Sequence, residues 1–291
     1  MKAPITFSQN AEVLKSNRYQ LVNDAASLGF GKILTDHMYS SEYSGGPAVD
    51  ASAPIAGGTW QPGQIEPYRP LALNPAAAVL HYGQALFEGM KAFRTHQGLI
   101  RLFRPKMNHA RLVSGAERLA MIAPSEEQFL QSLEAFSWVE SRWIPEAMGS
   151  ALYLRPTLIA TEGFLGVRPA DKYLYYVIGS PVSDYYGSSS GGVSIWIEGE
   201  HSRAAPGGVG AVKAAGNYAS SLVSAKNAKA KGFSQVLWLD ACTKDVVEEV
   251  GTMNVFFVVG NEVWTPQLNG RILPGVTRAS VIEVLRSWNI P

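Results

Sequence analysis

The residues best suited to chemistry lie in one glycine-rich loop, Pro206-Gly207-Gly208-Val209-Gly210-Ala211-Val212-Lys213, followed closely by Asn217 and Tyr218. Glycines let backbone amides approach an anion, so the loop first suggests a phosphate cradle. A Walker-type loop needs glycine directly before the lysine and Ser or Thr directly after it, whereas Val212 and Ala214 stand there. What is left is an amine between apolar neighbours. Poorly solvated, such an amine has a lowered pKa and can attack a carbonyl to form a Schiff base. A surface lysine is the ordinary alternative, and the loop by itself favours it.

A second feature is the pair Glu248 and Glu249 inside an apolar run, Val246 to Asn254. In a strand, neighbouring side chains point to opposite faces, so one of the two should face inward and need a cationic partner. A protonated pyridine nitrogen would serve, and so would an arginine. A third feature is Arg111, on an expected helix, with Arg203 just before the glycine-rich loop; either could grip a phosphate bidentately. Leu273-Pro274-Gly275-Val276-Thr277 places backbone amides at a helix start, a further anion site. Together these are a lysine for an aldehyde, a carboxylate for a ring nitrogen, and arginine plus a helix end for a phosphate, the groups a pyridoxal phosphate site requires.

The elements that must position them read as α+β rather than strictly alternating. Residues 1–73, rich in Gly, Pro, Ser and aromatics, suggest short strands and loops around a polar-aromatic surface. Asn74-Pro75-Ala76 looks like a helix start leading into residues 76–93, although Gly83 and Gly89 weaken that helix. Arg104-Pro105 opens a second helix, with Met107, Ala110, Val113, Ala116 and Ala120 on its apolar face and Arg111 and Arg118 on its polar one. Ser125 and the acidic residues after it open a third. Residues 151–160 and 172–182 read as strands. The Gly/Ser run 187–192 is the best linker. The expected division is a small N-terminal domain over 1–183, a linker over 184–193 and a larger cofactor-binding domain over 194–291. Past the linker come a strand at 192–198, an Ala-rich helix ended by Gly232, a strand at 234–240, two more at 254–260 and 262–266, and a closing helix from Val276.

Composition narrows the partners. With 25 basic and 24 acidic residues, the chain gives no reason to expect nucleic acid or an anionic membrane. No stretch approaches the roughly 18 apolar residues that span a bilayer. One cysteine, Cys242, excludes an intramolecular disulfide framework and a cysteine-clustered zinc site, which fits a reducing, cytoplasmic setting. No flanking signature makes Cys242 a nucleophile; a small residue at a strand end is the commoner reading. No metal is expected.

The segments VLHYGQALFEGMKAF, RLFRPKMNHARL, YLRP, the lysine followed by GNY, EEVGTMN and LPGVTR occur in the order found in branched-chain amino-acid aminotransferases, which the chain resembles from about residue 30 onward. The resemblance implies a two-domain fold type IV pyridoxal phosphate enzyme with a small N-terminal α/β domain and a mixed, β-barrel-like C-terminal domain. It implies that Lys213 bonds the cofactor and shuttles a proton, that Glu249 keeps the ring nitrogen protonated, and that Tyr218 contacts the phenolic oxygen. Arg111 and the amides of Val276 and Thr277 match the phosphate's partners, with Arg203 a second basic residue near it. Tyr82, Phe87 and Tyr153 look like walls of the substrate site, and Arg155 lies where an arginine handles substrate carboxylates. Leu165 and Val167 look like a loop that reaches a partner subunit, which implies a homodimer. The implied reaction is transamination of leucine, isoleucine or valine with 2-oxoglutarate. A D-amino-acid aminotransferase, an aminodeoxychorismate lyase and a non-catalytic relative stay open. Two departures stand out: Ala215-Gly216 replaces a pair of glycines, and the chain looks truncated at its C-terminus.

Overall fold

A computed structural model describes residues 6–7, 28–45, 57–183 and 191–291. Contacts divide the chain into two compact units, Met1–Ser189 and Ser190–Pro291. Of the expected linker 184–193, residues 184–190 lie outside the described residues.

The first unit is built on a nine-stranded sheet. Its strands are β1 (Thr6–Phe7), β2 (His37–Ser44), β3 (Thr59–Trp60), β4 (Gln64–Pro67), β5 (Ala85–Phe87), β6 (Met90–Arg94), β7 (Ile100–Leu102), β8 (Ala151–Ala160) and β9 (Lys172–Val182). The order is β1-β4-β2-β9-β8-β6-β7, with β3 on β2 and β5 on β8. The two expected strands pair antiparallel along their whole length, from Ala151 opposite Val182 to Ala160 opposite Tyr173. Helix α2 (Pro105–Arg118) and helix α3 (Glu126–Val139) cover the sheet. Ser125 caps α3 by accepting from the Gln128 amide at 3.2 Å. Phe129, Leu133 and Phe136 recur along one face of α3 and are wholly buried, each worth about 2–3 kcal/mol.

Three expectations for this unit are corrected. The helix expected from residue 76 to 93 is only α1 (Ala78–Tyr82), ended by Gly83 in the left-handed region at φ 63°. The Asn74 carboxamide oxygen takes the Ala76 amide at 2.9 Å, holding a turn where the helix was to begin. Beyond Gly83 the chain turns extended and pairs with β8 as β5 and β6. In α2 the buried face is Asn108, His109, Leu112, Gly115 and Ala116, not the Met107-Ala110-Val113 stripe. Asn108 donates to Glu88 at 2.8 Å and His109 to the Pro124 carbonyl at 2.9 Å, so these polar groups are buried because they are bonded. Finally, β2 is no surface strand; flanked by β4 and β9, it buries His37 through Ser41 and Tyr43.

The second unit holds a three-stranded sheet of β10 (Ile195–Glu198), β11 (Gln235–Leu239) and β12 (Val247–Val250), with β11 central. A hairpin joins β13 (Phe257–Val259) and β14 (Glu262–Trp264), and α6 (Val276–Ser287) closes the chain. The Ala-rich helix is interrupted, giving α4 (Ala215–Ala219) and α5 (Leu222–Ala230). Ser220 and Ser221 bond back to the carbonyls of Asn217 and Tyr218 at 3.0 and 2.7 Å, taking acceptors a continuous helix would use. Ala228, Val236 and Trp238 form the core here, with Trp196 and Phe233 against it.

Candidate active site

In the second unit the glycine-rich loop delivers Lys213 between buried Val212 and Ala214. Its Nζ donates to the Tyr218 hydroxyl at 2.9 Å. Asn217 holds the loop in shape, donating to the carbonyls of Val209 and Val212 at 2.7 and 2.8 Å. Gly210 is required, because a Cβ there would collide with the Arg271 carbonyl and the Ala204 side chain. Ala215 opens α4 in helical backbone, where a Cβ is acceptable, so the departure from two glycines costs nothing at that position.

Both glutamates of the pair are buried, at 1% and 3% exposure, where one was expected inward. Strand alternation does put them on opposite faces, but each face has an arginine: Arg271 pairs with Glu248, and Arg203 Nε lies 2.6 Å from Glu249 Oε2. Glu249 Oε1 accepts from Asn254 Nδ2 at 2.9 Å and from the Leu273 amide at 3.3 Å. Burial outweighs the opposing pull of Arg203, the Leu273 amide and Lys213 and leaves the Glu249 carboxyl raised to about 7. Arg203, Asn217, Tyr218, Ser221, Glu249, Gly251, Thr252 and Leu273 line one small cavity.

Asn254 also donates to the Leu273 carbonyl at 2.9 Å. It therefore ties the carboxylate to the turn Leu273-Pro274-Gly275 that starts α6, and a Cβ at Gly275 would strike its amide oxygen. No side chain caps this helix start, whose first residues are Val276 and Thr277. Its amides and the positive end of the helix dipole suit an anion.

In the first unit Arg111 grips Glu88, with Nε and Nη2 donating at 2.8 and 2.7 Å to the two carboxylate oxygens. Nearby in sequence, Phe87 sits on β5, not on a helix, and the Arg155 guanidinium stacks 4.5 Å from its ring centre. Arg155 donates through Nε and Nη2 to the Tyr153 hydroxyl at 3.2 and 2.9 Å. The structure thus brings Phe87, Tyr153 and Arg155 together. Tyr82 goes elsewhere, its hydroxyl donating to the Leu165 carbonyl. Leu165 and Val167 are exposed on a loop clipped by Arg168, which pairs with Glu162 at 2.6 Å and Asp171 at 3.4 Å.

Sequence reasoning missed Glu88, Asn254 and Phe30. Phe30, whose ring centre is 4.9 Å from that of Tyr153, gave no local signal. Glu88 stands beside a flagged aromatic in a run with three other apolar neighbours, and a lone acid in such a run is a signal. Cys242 is exposed in the turn after β11, its amide bonded to Asp240 at 3.0 Å. Among the described residues there is no cluster able to hold a metal and no helix long and apolar enough to cross a membrane.

The amino-transferase class IV family matches residues 85–291. Branched-chain-amino-acid transaminase 1 of Bacillus subtilis (strain 168) is 46% identical over 278 residues, 95% of this chain and 75% of the relative. The branched-chain-amino-acid aminotransferase of Mycolicibacterium smegmatis is 44% identical over 286 residues, 97% of this chain and 75% of the relative. Among solved structures, a T.th. branched-chain amino acid aminotransferase with pyridoxamine 5'-phosphate superposes at a TM-score of 0.67, with 25% identity, covering 78% of this chain and 72% of that one.

Proposed function

This chain belongs to the class IV amino-transferases, and we propose that it passes the amino group of leucine, isoleucine or valine to 2-oxoglutarate in two half-reactions, using pyridoxal 5'-phosphate held at Lys213. The observation that carries the reading is the Lys213 amine 2.9 Å from the Tyr218 hydroxyl, in the same unit as a buried carboxylate and an uncapped helix start. The donor set fits the cofactor. Glu249 Oε2 has Arg203 as its charge partner but keeps lone-pair capacity for a ring N–H.

When bound, the cofactor supplies an electron sink conjugated with the substrate's Cα. The chain does the rest. Lys213 Nζ, whose chain neighbours Val212 and Ala214 are buried, takes and returns the proton at Cα. Tyr218 hydrogen-bonds at the phenolic oxygen, Glu249 holds the proton on the ring nitrogen, and the Val276 and Thr277 amides bind phosphate, a role the resemblance implies for Arg111 as well. Phe87 and Tyr153 enclose the aliphatic side chain and Arg155 receives the carboxylate. Leu165 and Val167 serve the site of a second copy, in a homodimer working in the cytoplasm, and the chain divides at 184–193 into a smaller N-terminal and a cofactor-binding domain.

Borohydride reduction of cofactor-loaded protein, then peptide mapping, is expected to find pyridoxyl on Lys213. Leucine is expected to bleach the cofactor absorbance and D-alanine to leave it. Label elsewhere overturns the assignment, and a response to D-alanine instead points to a D-amino-acid enzyme. Label at Lys213 with no response to leucine indicates a relative that binds the cofactor without turnover.

A further inference from the structure

We propose that Arg203 works at the ring-nitrogen end of the site, as a positioning residue that keeps Glu249 a carboxylate and so leaves the proton between them on the cofactor nitrogen. The inference rests on the assignment of Glu249 to that nitrogen and goes beyond it, because the resemblance places Arg203 near the phosphate.

The Arg203 side chain is 9% exposed, with Nε 2.6 Å from Glu249 Oε2. Its Nη2 donates to the Gly210 carbonyl at 3.2 Å and to the Arg271 carbonyl. Those carbonyls belong to segments in close contact, since a Cβ on Gly210 would meet Arg271 backbone. The guanidinium is therefore held by three partners through two of its nitrogens. Turning it toward a phosphate would break these bonds and leave Glu249 buried without its cation, a costly state.

The charged and titratable groups around Glu249 come from several elements. Arg203 and Lys213 approach from the loop before α4, Glu248 sits beside it on β12 and is itself pinned by Arg271, and Tyr218 of α4 lines the same cavity. Asn254 and Leu273 add only neutral donors. Burial, and to a lesser degree Glu248, oppose ionisation, and Arg203 is the largest opposing influence. With one proton between carboxyl and ring nitrogen, either O–H faces N or O⁻ faces N–H⁺. A guanidinium against Oε2 favours the second arrangement: the O–H bond breaks, the N–H bond forms, and no other reactant is needed.

The test reconstitutes the full chain with pyridoxal phosphate labelled with ¹⁵N in the ring and follows that nitrogen's chemical shift with pH, beside affinities for pyridoxal phosphate and for pyridoxal. E249Q is expected to give the unprotonated shift at neutral pH. R203M is expected to lower the pH of half-protonation by about one unit or more, a tenfold loss in proton affinity, with the phosphate-to-pyridoxal affinity ratio kept within about twofold. R203K, which keeps a charge without the fork, is expected to fall between R203M and the unsubstituted protein, and carries the test if R203M does not fold. An unchanged half-protonation pH in R203M, or in R203K standing in for it, overturns the proposal, as does a collapse of the affinity ratio, which would return Arg203 to the phosphate. If E249Q itself keeps the protonated shift, the assignment of Glu249 fails instead, and Arg203 loses its role with it.

Discussion

Each unit buries a glutamate against an arginine, and the two pairs are built differently. Glu88 is wholly enclosed, held bidentately by Arg111 and bonded also by Asn108 at 2.8 Å. Glu249 is 3% exposed, lines a cavity, and meets Arg203 through one 2.6 Å contact that is an ion pair without an aligned hydrogen bond. Fork-to-fork pairing engages both carboxylate oxygens and two of the guanidinium's N–H groups, and it fixes where a helix lies on a sheet. Here α2 is held on the β5–β6 turn. A single contact in a pocket leaves the carboxylate poised, which is why burial carries its pKa to about 7. Similar residue types therefore build a brace in one unit and a responsive group in the other.

The largest expected effect would remove the chemistry around Glu249 while sparing the brace. K213A should lower kcat at least about 10⁴-fold with the thermal transition nearly unmoved; residual turnover within tenfold of the unsubstituted protein would mean that another amine serves. Next, E88A should destabilise the protein by about 3–5 kcal/mol in denaturant titration, because it strands a buried guanidinium. A loss under about 1 kcal/mol would show that the pair is no brace.

A third experiment reads Glu249 through pH in cofactor-free protein. Its folded value of about 7 lies above the 4.5 of an unperturbed glutamate. The folded state then binds more protons between those values, so this contribution is full below about pH 4.5 and is lost as pH rises to about 7. The expected fall is roughly 3 kcal/mol, and E249Q should remove that slope between pH 5 and 7. An identical slope in E249Q would make the two glutamates alike after all. Smallest, S125A should cost about 1 kcal/mol through the lost cap of α3, seen as a lower Tm, and leave cofactor affinity untouched; a change in that affinity would mean α3 bears on the site.

Local patterns were legible wherever the cause is local. The alternation in 151–160 and 172–182, the cap at Ser125 and the Gly232 stop are decided by neighbours in sequence, and the structure carries all three. The 76–93 segment was misread because Gly83 and the β8 partner, not intrinsic helix preference, decide it. In α2 the pattern of apolar residues pointed to the wrong face, since Glu88 and Pro124, remote in sequence, satisfy Asn108 and His109.

The sequence by itself determined the inventory: a lysine in an apolar setting, a strand with two carboxylates, an arginine before a glycine-rich loop, a helix start after a Leu-Pro-Gly turn. It also determined their order, which carries the family. Only the tertiary structure decided who pairs with whom. Arg203 with Glu249, Arg271 with Glu248 and Arg111 with Glu88 join positions 46, 23 and 23 residues apart. Ion pairing between such positions depends on distances in space and on burial, and neither is written in the spacing of residues along a chain.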